Sequence, residues 1–139
     1  MTSPSSSNPG RPPIHMIDAE ADRLTELALA REEALPQVCG LLLREINRAS
    51  IHTARTIPDD IVVMGSIVTF SDETTGAVRT VQLVYPGDAD ISAGRISILT
   101  PVGAGLIGLR KGQSIRWPDR DGDIRTLSIV DVATPAPTP

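Results

Sequence analysis

Several residues in this chain have types and spacings that suit chemistry. The stretch from Arg95 to Trp117, "RISILTPVGAGLIGLRKGQSIRW", sets Gly103, Gly105 and Gly108 in the order G-x-G-x-x-G after an apolar, strand-like run. Where that spelling joins a strand to a helix, the glycines let a dinucleotide pyrophosphate approach the helix N-terminus. Glu32 and Glu33 are adjacent carboxylates, the ligand type that holds hard divalent cations. His15 and His52 offer imidazoles for metal binding or proton transfer, and Cys39 offers a thiol.

Context reduces this set. A dinucleotide fold needs a second parallel strand after a substantial crossover helix, whereas the residues after Gly108 spell a hairpin and a tail, and Thr100-Pro101 separates the strand from the first glycine. The glycines therefore read as positions that let a short helix pack close to a sheet. The histidines have no cysteine or carboxylate spaced to complete a ligand set, and two ligands are too few for a zinc site. If the segment between them closes as a helical hairpin, His15 and His52 approach one another. Cys39 falls on an apolar stripe and reads as core, while Ser97 and Ser128 alternate with isoleucine and read as strand residues. Glu32 and Glu33 form either a solvated polar turn or an acidic tip.

Composition sets further limits. One modest domain with appendages fits 139 residues. Hydrophobic residues make up 40% of the chain but aromatics only 2%, so Leu, Ile, Val and Ala must build the core. A single Phe, Tyr and Trp argue against an aromatic-walled pocket for a base or a proline ring. The net charge of -4 gives no general attraction to phosphate backbones, so autonomous nucleic-acid binding is not expected. A lone cysteine excludes an intramolecular disulfide and a multi-cysteine zinc site. No apolar run reaches the roughly 20 residues that span a bilayer, and "MTSPSSSNPGRPP" lacks the parts of a signal peptide. The expected setting is cytoplasmic, without membrane contact.

The elements that must position these residues follow from periodicity. "IDAEADRLTELALARE" spaces Ile17, Ala21, Leu24 and Ala28 for one helix, and its early acids suit the helix dipole. Pro36 suits the first turn of a second helix with Val38, Leu42 and Ile46 on one stripe. The two predict a short antiparallel hairpin turning at Glu32 and Glu33, before "RTIPDD" breaks helicity. "SIVTF" and "VRTVQLVYP" predict a β-hairpin, "RISIL" a third strand, and "PVGAGLIGLRKG" a short helix capped by Thr100 and closing near Gly112. "QSIRW" and "TLSIVDV" flank a turn at Asp121-Gly122. The expected organisation is a disordered tail over 1–13, a helical hairpin over 14–56, a sheet domain over 57–133 and a second disordered tail over 134–139.

"DDIVVMGSIVTF", "VQLVYPGDAD" and "GRISILTPVGAGLIGLRKGQSI", with the helical segment before them, resemble the bacterial regulators of nucleoside diphosphate kinase, small relatives of the Gre transcript-cleavage factors. The likeness covers roughly Ile14 to Val132, and its most specific part is filled by Thr100, Pro101, Gly103, Leu106, Gly108 and Gly112. Gly105 departs from a usual Ala, Gln113 from a common Asp and Gly65 from a common Asn, so the dinucleotide-like spelling arises from one substitution.

The resemblance implies an α+β fold: a short N-terminal antiparallel coiled coil, then an FKBP-like, antiparallel-rich sheet packed on a short helix. It implies docking on RNA polymerase at the rim of its secondary channel. Leu99, Thr100, Pro101, Val102 and Gly103 would form the partner-binding patch, bordered by the "PGDAD" loop, with helix capping as the other role for Thr100. Any association with DNA would be indirect. Gre factors carry acids on a longer coiled coil to the polymerase's magnesium, and Glu32 and Glu33 occupy the matching tip. A hairpin this short implies competition with cleavage factors and no cleavage of its own. The alternatives are a cleavage-competent factor using Glu32 and Glu33, and direct regulation of nucleoside diphosphate kinase. No catalytic residue, cofactor or metal of its own is expected. An FKBP-like fold brings prolyl isomerisation to mind only by analogy.

Overall fold

A computed structural model describes residues 12–119 and 121–134. The outer parts of both expected tails lie outside these residues, whereas the carbonyls of Pro12 and Pro13 accept hydrogen bonds from Arg48 and Gln113. The elements are β1 (His15–Ile17), α1 (Asp18–Arg31), α2 (Pro36–Arg48), β2 (Ser50–His52), β3 (Ile67–Asp72), β4 (Ala77–Val84), β5 (Arg95–Ser97), α3 (Pro101–Leu106), β6 (Ser114–Pro118) and β7 (Ile124–Ala133). Two 3-10 turns lie at Pro86–Asp88 and Ile91–Ala93.

In α1 the buried positions are Ala21, Leu24 and Ala28, the spacing that puts side chains on one helical face. Asp18 and Glu20 lie in its first turn and Arg31 in its last, complementing the dipole at both ends. Pro36 opens α2, whose buried face carries Val38, Cys39, Leu41, Leu42 and Glu45. The three-residue strands β1 and β2 are too short to leave a periodic signal in the sequence. They pair in parallel, with His15 opposite Ser50 and Ile17 opposite His52. This pairing ties the start of α1 to the end of α2, so the chain runs out and back between them.

The main sheet has the order β5-β4-β3-β7-β6. Its pairings are antiparallel except that of β4 with β5. Inward residues alternate as a half-buried sheet requires: Val68 and Phe70 on β3, Ile115 and Trp117 on β6, Leu127 and Ile129 on β7. The register of β3 on β7 shifts after Thr69, which pairs with Asp131 while Phe70 pairs with Ile129. Strict alternation would turn Asp131 inward. The bulge skips Val130, leaves Val130 and Asp131 outside and brings Val132 against the core. It also strengthens the local twist, which curls the sheet.

The short helix differs from the sequence expectation at its end. It stops at Leu106, and Gly108 and Gly112 form separate turns at φ 84° and 92° instead of closing one helix. Between helix and turns, Ile107 and Leu109 are buried. The apolar run was therefore core-facing for reasons other than helical period. One continuous buried cluster joins Met16, Leu24 and Leu42 to Phe70, Leu83, Leu106, Trp117 and Ile129, and α2 packs directly on α3. Three helices on a curled sheet make the fold α+β.

Candidate functional site

The loop ahead of α3 is fixed by short local bonds. Thr100 Oγ1 accepts the Gly103 N–H at 3.1 Å and donates to the Ser97 carbonyl at 2.7 Å. Ser97 Oγ in turn accepts the Leu99 N–H at 2.9 Å. Thr100 is thus the helix cap that its residue type predicted, and Pro101, with no N–H to satisfy, occupies the first turn. On the far side of the helix the indole Nε1 of Trp117 donates to the Pro101 carbonyl at 2.6 Å.

The three glycines of the G-x-G-x-x-G spelling each have a steric task. A β-carbon at Gly103 would lie 2.3 Å from the Ser97 carbonyl oxygen. One at Gly105 would lie 2.9 Å from the Trp117 ring, and Gly108 combines a φ of 84° with close contact to Ile14. Gly103 and Gly105 bring the helix onto strands, as expected from the sequence, whereas Gly108 lies beyond the helix and turns the chain against Ile14.

Of the five residues expected at the partner-binding patch, Thr100, Pro101 and Val102 are half-buried and reach the surface. Leu99 and Gly103 are buried and build the loop from within. Two grooves meet at the exposed part. One is shared by Thr100 and Pro101 with Leu35, Pro36, Gln37 and Leu41 of the helical pair. The other runs past Val102 to Ile96, Arg79, Arg95 and Ile91, the last 83% exposed. Asp119 borders both grooves and is held by Arg125, which also reaches Asp72, each at 2.8 Å. The Arg125 hydrogen bond, with two backbone N–H groups, holds Asp119 below the usual carboxylate range.

The composition argument against an aromatic-walled pocket meets a partial exception. Phe70 and Trp117 line one small cleft with Val102 and Leu127, both rings lying almost wholly in the core. Tyr85 is engaged separately, under the Arg23 guanidinium at 4.2 Å.

Glu32 and Glu33 are exposed in the turn after α1 and border a shallow hollow with Leu29 and Ala30. Among the described residues, no three His, Cys, Asp or Glu side chains are grouped to hold a metal. His15 and His52 do come together, Nδ1 to Nε2 at 2.9 Å, as diagonal neighbours across the parallel pair, His15 standing opposite Ser50 and His52 opposite Ile17. Burial pushes the His15 imidazole below its usual value, His52 and Arg110 add to this, and Asp60 opposes. Cys39 is buried and its thiol is pushed up, by burial first and then by the charge of Glu32, which suits packing and not nucleophilic attack.

Sequence reasoning passed over Glu45, a carboxylate only 1% exposed on the inner face of α2. Arg48 grips it through Nε and Nη2, at 3.0 and 2.7 Å, and donates Nη1 to Pro12. The signal was available as an i, i+3 pair on one helix. Glu20 was also missed as a tie: its carboxylate accepts the Met64 N–H at 3.1 Å, fastening α1 to the segment before β3.

Residues 57–134 match the C-terminal domain model of the transcription elongation factors GreA and GreB, and the chain belongs to this family. Over 122 residues it is 34% identical to the regulator of nucleoside diphosphate kinase of Escherichia coli K12, covering 88% of this chain and 90% of that protein. It is 41% identical over 88 residues to transcription elongation factor GreA of Azorhizobium caulinodans, covering 63% of this chain and 55% of that protein. The solved GreA/GreB elongation factor of Nitrosomonas europaea shares the fold with a TM-score of 0.67 at 36% identity, covering 88% of this chain and 99% of that one. These relatives are named regulators and elongation factors. No helix among the described residues is long and apolar enough to cross a membrane.

Proposed function

We propose that this protein is a non-catalytic modulator of transcript elongation that docks on RNA polymerase at the rim of the secondary channel. The exposed part of the Thr100–Val102 loop grips the rim, and the helical pair over 14–56 acts as a short coiled-coil plug beside an FKBP-like domain over 57–133. Occupying that rim excludes a cleavage factor by mass action.

The observation that carries this reading is that the tip of the helical pair and the loop line one groove: Leu35, Pro36 and Gln37 on one wall, Thr100 and Pro101 on the other. Glu32 and Glu33 immediately precede Ala34, which lines the same groove. With α1 only 14 residues long, about 20 Å at the standard rise, the pair has no length beyond the grip with which to deliver Glu32 or Glu33 to a distant metal. Two-metal chemistry requires carboxylates on the ion itself.

Co-purification with RNA polymerase and competition against a cleavage factor test the docking. Thr100→Asp or Pro101→Ala should weaken the competition, and unchanged affinity would remove the loop from the docking surface. RNA release from backtracked complexes should be absent with the wild type and with Glu32→Ala/Glu33→Ala, while carboxylate-dependent release would restore the cleavage reading.

A second reading, direct action on nucleoside diphosphate kinase, is favoured by the name of the Escherichia coli relative. Mixing the purified protein with that kinase separates the two, since an effect on kinase activity without polymerase supports direct action.

A further inference from the structure

We infer that the open edge of β4 is a strand-addition site for an extended segment of another protein, rich in β-branched residues and setting a carboxylate beside Arg79. This goes beyond the docking reading and does not depend on it. β4 runs Ala77–Val84, whereas β5 pairs only with Gln82, Leu83 and Val84. Below that point the Asp90–Arg95 bridge and the left-handed Gly94 turn the chain away, and among the described residues no strand pairs with 77–81 on that side. Leu83 donates its N–H to the Ser66 carbonyl on the β3 side, and Gln82 donates to the Gly94 carbonyl on the other. Backbone groups alternate in direction along a strand, so Val78 and Thr80 turn their N–H and C=O groups to the same side as Gln82. Neither has a backbone partner there among the described residues. A row of unpaired groups of this kind is a template for one more strand of about five residues.

Side chains decide which segment fits. Ala77, Val78, Arg79 and Thr80 are all exposed, and 77–81 contain neither of the residues, proline and lysine, that commonly close an edge. Val78 is 63% exposed, and Ile91, 83% exposed on the turn before β5, lines one groove with Arg79 and Ile96. Since Val78 and Arg79 point to opposite faces, an added strand gains apolar contact on both of its faces. Arg79 sets the charge. It stands opposite Phe70, its guanidinium 5.9 Å from the ring centroid, and has no ion pair among the described residues. Asp72 and Asp119 are both held by Arg125, Arg95 lies beside Asp90, and Asp121 borders the groove from the turn between β6 and β7. A carboxylate opposite Arg79 on the added strand makes a favourable cross-strand pair. A second copy of this chain is excluded by the same rule, because the antiparallel register that uses both Val78 and Thr80 sets Arg79 against Arg79.

The test is titration of the full-length protein with an end-capped, fluorescently labelled heptapeptide, GSVEVIG, followed by anisotropy and by amide hydrogen exchange. The peptide should bind and protect the Val78 and Thr80 amides. Replacing its glutamate with lysine should weaken binding about fivefold, and Arg79→Glu, a change at an exposed side chain, should reverse that preference. Methylating alternate peptide nitrogens separates strand addition from side-chain docking: the set that faces the edge should abolish binding and the other set should spare it. No binding at millimolar peptide, binding that tolerates both methylated sets, or unchanged exchange at Val78 and Thr80 would each overturn the inference. So would a wild-type dimer in sedimentation that protects these two amides, since the edge would then belong to a second copy. None of these outcomes bears on polymerase affinity, which is measured separately, so the docking reading stands or falls on its own experiment.

Discussion

The indole of Trp117 donates to the carbonyl of Pro101 at 2.6 Å while its ring lies against the α-carbon of Gly105. A single side chain thus fixes both the start of α3 and the distance between that helix and the sheet. Gly105, the residue that gives the chain its dinucleotide-like spelling, is where a β-carbon would meet the ring at 2.9 to 3.0 Å.

Ala at position 105 should therefore destabilise the protein by about 1–3 kcal/mol through overpacking. Trp117→Leu makes room, so the double variant Gly105→Ala/Trp117→Leu should lose less than the sum of the two single changes. Denaturant unfolding of all four proteins measures this coupling, and strict additivity would mean that the ring and position 105 do not oppose each other.

Trp117→Phe removes the donor together with the pyrrole part of the buried indole. It should cost about 2–4 kcal/mol, the lost hydrogen bond and the cavity acting together. Chemical denaturation checks the magnitude, and hydrogen exchange in α3 should rise locally.

Removal of the Arg48 side chain should be more damaging than its position at a helix end suggests. Arg48→Ala removes the guanidinium that grips the buried Glu45 carboxylate and should cost about 2–4 kcal/mol. Glu45→Gln/Arg48→Met, which removes both charges, should recover a large part of this loss in the same unfolding assay.

Stability should depend on pH through His15. Its native value is depressed below the ordinary histidine value of about 6.5, so the unfolded chain takes up the proton more readily. The contribution is fully present above about pH 6.5 and is lost as pH falls through the depressed native value. Double protonation would also set two like charges at the His15–His52 contact. Glu20 works in the opposite sense, since burial raises its pKa and its neutral form is favoured on acidification. Comparing wild type with His15→Gln between pH 8 and pH 5 isolates the histidine, and an identical pH dependence in both would show that the pair does not carry it.

Thr100→Ala should cost about 1 kcal/mol as a lost cap. In the same variant the Ser97 carbonyl loses its hydroxyl donor, so the loop itself should loosen. Thermal unfolding reports the first effect and protection of the Gly103 amide the second.

Much of this protein could be read along the chain. The periods of α1 and α2, the strand at Phe70, the cap at Thr100 and the proline starts at Pro36 and Pro101 are local choices, set by side-chain geometry and backbone chemistry within a few residues. The length and composition also ruled out most aromatic pockets and any multi-cysteine centre. What the tertiary structure decided involves residues far apart in sequence. Three-residue strands at His15 and Ser50 have no period to detect, and they exist because each supplies the other's hydrogen bonds. The helix after Pro101 stops at Leu106 because Gly108 turns toward Ile14, and the glycine at 105 is explained only by Trp117 across the core. The groove that brings Leu35 beside Pro101 has the same origin: α2 packs against α3 as well as against α1, so its apolar side chains are buried in part by residues far along the chain.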